Sequence, residues 1–212
     1  LISNEDDART RISPNSTYKI YSALIALDAG IITAKDSAMA WNGEACPFDS
    51  WNRDQNLNTA MTNSVNWYFM NLDRQSGLDS IKRELTALSY GNLDFSGGLS
   101  RFWLESSLKI SPLEQVKLLA ALSGHTLPYS ERDMETVKDA LFLSSDGTSS
   151  LYGKTGTGTV DGKNTNGWFI GFIESENGSC SFAVHIKGDD GATGTKAGEI
   201  ALRILKEKQL YG

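Results

Sequence analysis

Apolar positions fill residues 20–27 almost without a break, and Tyr21, Leu24, Ile25 and Asp28 follow helical spacing. Gly30 stands where a left-handed residue closes a helix. The pattern predicts a helix over about residues 16–29, entered at Pro14 with Asn15 or Ser16 as its N-cap. A helix that is apolar on nearly all sides is a buried one, so Lys19 in its first turn is placed in a dry environment. Ahead of it, residues 1–11 turn polar early and offer at most the end of a strand.

The pattern loosens after Gly30. Residues 34–55 carry Gly43, Pro47 and several Asn turns around Trp41 and Trp51, which reads as a long irregular connection over the core. Helical spacing returns from Leu57, but Thr62-Asn63-Ser64 interrupts it with cap-type residues, so two short helices meet at Ser64. Gly77 ends the second. Asp79 caps a third that runs through Ile81, Leu85 and Leu88 to about Ser89. A loop over 90–98 leads to the apolar knot Phe102-Trp103-Leu104.

Ser111-Pro112-Leu113-Glu114 is a capping box with proline at the first helical position, opening a helix to Gly124. Ser130 caps another, ending near Leu143. The period then changes to that of strands over about residues 151–158, 167–175 and 179–187, the last two joined by the turn Glu176-Asn177-Gly178. A final helix spans about residues 195–208. A helical middle followed by three strands and a C-terminal helix is the order of an α+β protein with an antiparallel sheet. The 212 residues are read as one domain, with no internal repeat.

Composition narrows the functional classes. The net charge is −6 and no basic cluster exists, which argues against a nucleic-acid surface. No apolar run approaches the roughly 20 residues of a membrane helix, and no signal peptide is visible. The chain opens at Leu1, so it is read as a piece of something longer, with any membrane segment outside it. Two cysteines, Cys46 and Cys180, make no disulfide framework and are expected to be unrelated buried thiols, which leaves the compartment open.

Three short motifs carry the candidate chemistry: Ser16-x-x-Lys19, Ser64-Val65-Asn66 and Lys154-Thr155-Gly156. Each also has a structural role open to it, Ser16 as a cap, Ser64 as a turn residue and Lys154 as an exposed strand cation. Their order, on a helix, between helices and on a strand, favours chemistry. A serine nucleophile needs a proton acceptor, and a lysine whose ammonium is disfavoured by burial can supply one. Ser64 can relay a proton to a departing amide nitrogen, and Lys154 sets a positive charge for a substrate carboxylate. Backbone N–H groups along Thr155, Gly156 and Thr157 can bind an amide or a developing oxyanion.

These motifs resemble those of the penicillin-interacting serine enzymes and receptors. Tyr90-Gly91-Asn92, Phe102-Trp103-Leu104-Glu105 and Trp168-Phe169-Ile170-Gly171 are similar to the corresponding stretches of the class D β-lactamase branch. The resemblance covers nearly the whole chain from Ser13, with only an N-terminal part of the usual domain missing ahead of Leu1. It implies a penicillin-binding serine transferase or β-lactamase-like fold, with a helical lobe, an antiparallel sheet and a C-terminal helix on that sheet. It implies β-lactams as ligands and Ser16 as the acylated residue. Lys19 would be the base, commonly carboxylated by carbon dioxide, with the Trp103 indole holding the carbamate. Ser64 and Lys154 would move protons and hold the substrate carboxylate with Thr155 and Thr157, and the N–H groups of Ser16 and Thr157 would form the oxyanion hole. Lys196 is the nearest cation to a carboxylate-binding arginine of that branch, without a secure match.

One position departs from the branch: Asn66 stands where a hydrolase has an apolar residue over the lysine. An amide there can bind a ligand's side chain, and it can also compete for the carbamate and remove the base that deacylation needs. The stretch Asn63-Ser64-Val65-Asn66-Trp67-Tyr68-Phe69 resembles the sensor domains of inducible β-lactam receptors of the BlaR/MecR type. The reading is therefore a covalent penicillin-sensing domain at the outer face of the membrane that signals antibiotic to a resistance system. A class D β-lactamase, secreted or lipid-anchored, is the alternative, and a D-alanyl-D-alanine peptidase stands behind both. Glu105, followed by Lys109, is a poor match to a water-activating carboxylate. His125 and His185, with no metal-ligand spacing or paired carboxylate around them, are assigned structural roles, and Asp189-Asp190 reads as a solvated turn.

Overall fold

The computed structural model describes residues 1–212. Four antiparallel strands, β1 (Phe142–Ser145), β2 (Ser149–Val160), β3 (Lys163–Ser175) and β4 (Gly178–Lys187), lie side by side in sequence order. Successive residues of a strand point to opposite faces. On one face Phe169, Phe182, Val184 and Ile186 meet Ala197 and Ala201 of the last helix, α8 (Gly194–Glu207). The other face contributes Trp168, Ile170 and Phe172 to the main core of the molecule. Lys154 and Gly156 pair with Ile170 and Trp168 in register, which puts them on this inner face.

The helical lobe is built around α2 (Lys19–Asp28), all of whose residues from Lys19 to Leu27 are buried. A helix with no solvent face has to be enclosed, and α4 (Asn66–Ser76), α5 (Leu78–Ala87) and α7 (Glu131–Leu141) enclose it. The short α3 (Leu57–Thr62) precedes α4, and Ser64 at φ 53° makes the joint between them, where the cap-type residues place it. The capping box of α6 (Pro112–Ser123) is present in both directions, and the Glu114 carboxylate that completes it also receives the Arg11 guanidinium.

Several boundaries differ from the sequence reading. Residues 1–11 hold a helix, α1 (Glu5–Arg9), capped by the Asn4 side chain on the N–H groups of Asp6 and Asp7. An Asn followed by three acidic residues was the available signal for it. Neither Asn15 nor Ser16 caps α2; a 3-10 turn over Asn15–Tyr18 runs straight into it, held by Thr17 Oγ1 on the Pro14 carbonyl at 2.8 Å. Asp79 lies inside the first turn of α5, which Gly77 precedes with no side-chain cap. The helix expected to reach Leu143 stops at Leu141, and Phe142 begins a fourth strand with no turn residue between. Cys46 and Cys180 are unpaired but only half-buried. The rest of the irregular connection over 34–55 carries one bridge, Met39 to Gln55, and one 3-10 turn, Asp49–Trp51.

Ser111→Ala removes the cap of α6 and loosens the Glu114 that anchors Arg11. It is expected to cost about 1 kcal/mol and to lower the melting temperature by about 2–4 °C in a calorimetric scan.

Candidate active site

Ser16 lies on a turn that is gripped from three sides. The Asn15 N–H donates to the Trp103 carbonyl at 3.0 Å, and the Asn15 amide donates to Glu105 Oε1 at 2.7 Å. Just ahead, Ile12 and Ile110 exchange both backbone hydrogen bonds. From the sheet, β2 presses Gly156 against the turn so closely that a Cβ there would lie 3.1 Å from the Pro14 carbonyl oxygen and 3.4 Å from the Ser16 nitrogen. This contact brings the Ser16 N–H beside the strand that carries Thr157. Asn15 adopts φ 50°, a left-handed conformation that asparagine tolerates better than most side chains.

One helical turn on, Lys19 Nζ reaches Ser16 Oγ at 2.9 Å, the Ser64 carbonyl oxygen at 2.6 Å and Asn66 Oδ1 at 2.7 Å. Its side chain is fully buried, with the rings of Phe69 and Trp103 each 5.5 Å from the nitrogen. Burial holds the Lys19 pKa well below the ordinary lysine value, and the charge of Lys154 adds to that; Asp73 works the other way. Ser64 takes part twice, its carbonyl on Lys19 and its hydroxyl in a short hydrogen bond from Lys154 Nζ. Lys154 also donates to the Thr155 carbonyl at 3.1 Å, and its burial brings its pKa down to about 7. The result is two neighbouring amines, each disfavoured as a cation, linked to two serine hydroxyls.

The neighbouring sequence candidates are placed as follows. Thr155 and Thr157 point to the other face of β2, where the Thr157 hydroxyl accepts the Gly194 N–H at 2.9 Å and ties the strand to the amino end of α8. Lys196 lies exposed in the first turn of α8. Trp51 donates its indole N–H to the Asn63 carbonyl and Trp67 donates to the Trp51 carbonyl, both at 2.9 Å, so the two rings hold the irregular connection beside Ser64. Trp41 turns back on Glu44 within that connection.

Trp103 is the placement that differs most from expectation. Its indole N–H, assigned by resemblance to a carbamate on Lys19, donates instead to Asp73 Oδ2 at 3.0 Å. Asp73 is buried and also accepts from Ser22 Oγ at 2.8 Å and Tyr18 OH at 3.2 Å. Burial raises its pKa to about 6 against the opposing effect of these three hydrogen bonds. The sequence reading passed over Asp73, although a carboxylate four residues after Phe69 sits on that ring's face of α4.

Glu105 serves as a brace. Its Oε1 accepts from the side-chain amides of Asn15 and Asn166, the latter at 2.6 Å, and it fills the space that a Cβ on Gly158 would need. His185 meets Asn166 Oδ1 at 2.9 Å and packs on Trp168, its pKa brought down to about 4 by burial. His125 does have a carboxylate partner, Glu135, in an ion cluster with Lys138 and Glu174 that joins α7 to β3. The sequence offered no sign of that pairing.

Residues 3–206 match the model of the penicillin binding protein transpeptidase domain. The regulatory protein BlaR1 of Bacillus licheniformis is 45% identical over 210 residues, covering 99% of this chain and 35% of that protein. The chain thus spans about a third of the length of such curated relatives. Among solved structures, the C-terminal domain of the Bacillus licheniformis BlaR penicillin-receptor superposes with a TM-score of 0.94 at 45% identity, covering 99% of this chain and 85% of the other. A class D β-lactamase from Bacillus subtilis also superposes with a TM-score of 0.94, at 40% identity, covering 100% and 87%. The α+β architecture is therefore the penicillin-binding, β-lactamase-like fold.

The burial of Lys154 has a consequence for stability. Between about pH 7 and pH 9 the unfolded chain keeps a proton on this lysine that the folded protein has released. Lys154 therefore makes stability rise with pH in that window, by up to about 1.4 kcal/mol per pH unit, and its share of the slope disappears below it. Lys154→Met should remove this share and keep only that of Lys19, as read from urea unfolding across the window; an unchanged slope would contradict the assignment.

Proposed function

The chain belongs to the penicillin binding protein transpeptidase domain family, in the branch of the BlaR-type penicillin receptors and the class D β-lactamases, and on that footing we propose that it is a covalent β-lactam receptor domain acylated on Ser16. The observation that carries this reading is the setting of Lys19. A neutral amine has two hydrogens and one lone pair. Two of the three directions around Lys19 Nζ end on oxygens that can only accept, Ser64 O and Asn66 Oδ1, so the hydrogens go there and the lone pair faces the Ser16 hydroxyl.

That arrangement suits acylation. Ser16 Oγ bonds to the lactam carbonyl carbon while its proton passes to Lys19 Nζ. The N–H groups of Ser16 and Thr157 face the oxygen that becomes negative. The lactam C–N bond then breaks, and its nitrogen takes a proton from Ser64 Oγ, which Lys154 Nζ replaces across their short hydrogen bond. Lys154 and the Thr155–Thr157 backbone hold the ligand's carboxylate, with the positive end of α8 beside them.

The same arrangement disfavours turnover. Acylation leaves Lys19 as an ammonium whose three hydrogens meet three oxygens, so the proton stays and no base remains for water. A carbamate on Lys19 would set a carboxylate against Ser64 O and Asn66 Oδ1, and the reading takes the free amine as the base. The family likeness supports display at the outer face of the membrane as part of a longer receptor. No helix of the chain is long and apolar enough to cross a membrane, so that contact is assigned to segments outside these residues.

Mixing the protein with one equivalent of a penicillin should give an adduct on Ser16 that intact mass still shows after hours, and Ser16→Ala should give none. Prompt return to the free mass would replace the receptor with the class D hydrolase. Asn66→Val removes one acceptor from the Lys19 ammonium and should shorten the adduct's life by about tenfold or more, equivalent to about 1.4 kcal/mol of barrier. An unchanged lifetime would show that Asn66 does not hold the proton.

A further inference from the structure

Glu105 is tied into the nucleophile turn from outside the three motifs. Its N–H donates to Asn15 Oδ1 at 3.2 Å and its Oε1 accepts the Asn15 amide at 2.7 Å, so the two residues hold each other by a reciprocal pair of hydrogen bonds. Both take left-handed conformations, φ 50° for Asn15 and φ 41° for Glu105. Conformations of that kind persist only where neighbours fix them. The same Oε1 accepts the Asn166 amide at 2.6 Å. Asn166 stands on β3 directly across from Gly158, the residue after Thr157, and the carboxylate fills the space over that glycine. The Ser13 carbonyl gathers the same groups, accepting from Asn15, Asn166 and the Trp168 indole at 3.3, 3.1 and 3.0 Å. With its N–H groups turned to Ser13 and Glu105, Asn166 presents its oxygen to His185, whose Nε2 donates to it at 2.9 Å.

From this arrangement we infer that Glu105 is a positioning residue for the oxyanion hole: one carboxylate oxygen locks the support of the Ser16 N–H to the support of the Thr157 N–H. Asn15 precedes Ser16, so its backbone sets the plane of the peptide that carries the Ser16 N–H. The Trp103 carbonyl holds the Asn15 N–H at 3.0 Å, and Glu105 holds its side chain. On the strand side, the Asn166 amide pins β3 to the same oxygen at the rung where β2 carries Gly158. A displaced Glu105 Oε1 would loosen both supports at once and alter the spacing of the two donors. Donors aimed at a developing negative charge work because they are fixed before the reaction, and a misplacement of about 1 Å can cost about a hundredfold in rate. The hydrogen bonds of the Glu105 carboxylate go to Asn15 and Asn166, not to Ser16 Oγ or Lys19 Nζ, so it acts through geometry and not as a base.

The inference rests on the acylation of Ser16 proposed above, and its test reads the rate of that step, not the life of the adduct. Rapid quench and intact mass over a range of penicillin concentrations give a dissociation constant for the first encounter and a limiting rate of acylation. Glu105→Ala should lower the limiting rate about tenfold or more and leave the dissociation constant within about twofold, because the donors matter most to the transition state. Glu105→Gln keeps an oxygen for the two amides and should restore most of the rate. Asn15→Gly retains the left-handed backbone without strain and removes the side chain that Glu105 grips. It should show the same loss, and the double variant should be no slower than the slower single one. An unchanged limiting rate in Glu105→Ala, or a loss confined to the dissociation constant, would overturn the inference. Losses that multiply in the double variant would overturn the route through Asn15. Should Glu105→Ala not fold, Gly158→Ala decides: its methyl group displaces the carboxylate and should slow acylation alike, whereas an unaltered rate overturns the inference. Prompt return to the free mass would end the receptor reading and leave this test in force; an unaltered protein that never acylates would overturn both.

Discussion

Everything around the nucleophile depends on keeping one lysine amine dry. A fully buried ammonium costs several kcal/mol, which lowers the amine's affinity for a proton, and two fixed acceptors surround it. The dry pocket requires α2 to be buried on all sides, which dictates the apolar run after Lys19 and the helices that enclose it. The second lysine, Lys154, is forced into the same condition by the sheet. Burial lowers both amines' affinity for a proton, and the charge of Lys154 lowers that of Lys19 further.

The nucleophile turn is held rigid at a modest cost in strain. Asn15 and Ser64 both take left-handed conformations, and each is fixed by neighbours that outnumber it: the Trp103 carbonyl and Glu105 for Asn15, the Lys19 amine and Trp51's hold on Asn63 for Ser64. Gly156 is what lets the sheet approach. That contact sets the Ser16 N–H beside the strand carrying Thr157.

Much of this was legible because it is local. The buried helix, the joint at Ser64, the capping box at Ser111 and the hairpin at Gly178 each declare themselves within a few residues, by periodicity or by turn chemistry. The three motifs were readable for the same reason. What stayed hidden depends on pairs far apart in the chain, Trp103 with Asp73 and Glu105 with Asn15 and Asn166, or on a turn between helices that brings His125 to Glu135. The strand at Phe142 was missed for a local reason, since helix passes into strand with both sides apolar and no breaker between.

The hidden pairs bear on function more than the visible motifs do. In the proposed mechanism Ser16, Lys19, Ser64 and Lys154 carry acylation, a step that receptor and hydrolase would share, so they do not separate the two. That distinction lies in what happens to one proton and one amine afterwards. An acceptor on the amine makes the proton stay; a donor near the amine would favour its conversion to an anion able to take the proton from water. Asn66 supplies such an acceptor to Lys19, and the Trp103 indole N–H is directed to Asp73 rather than to the amine. On the proposed reading, the acceptor that Asn66 places on Lys19 is what would keep the acyl state after a first encounter with the ligand.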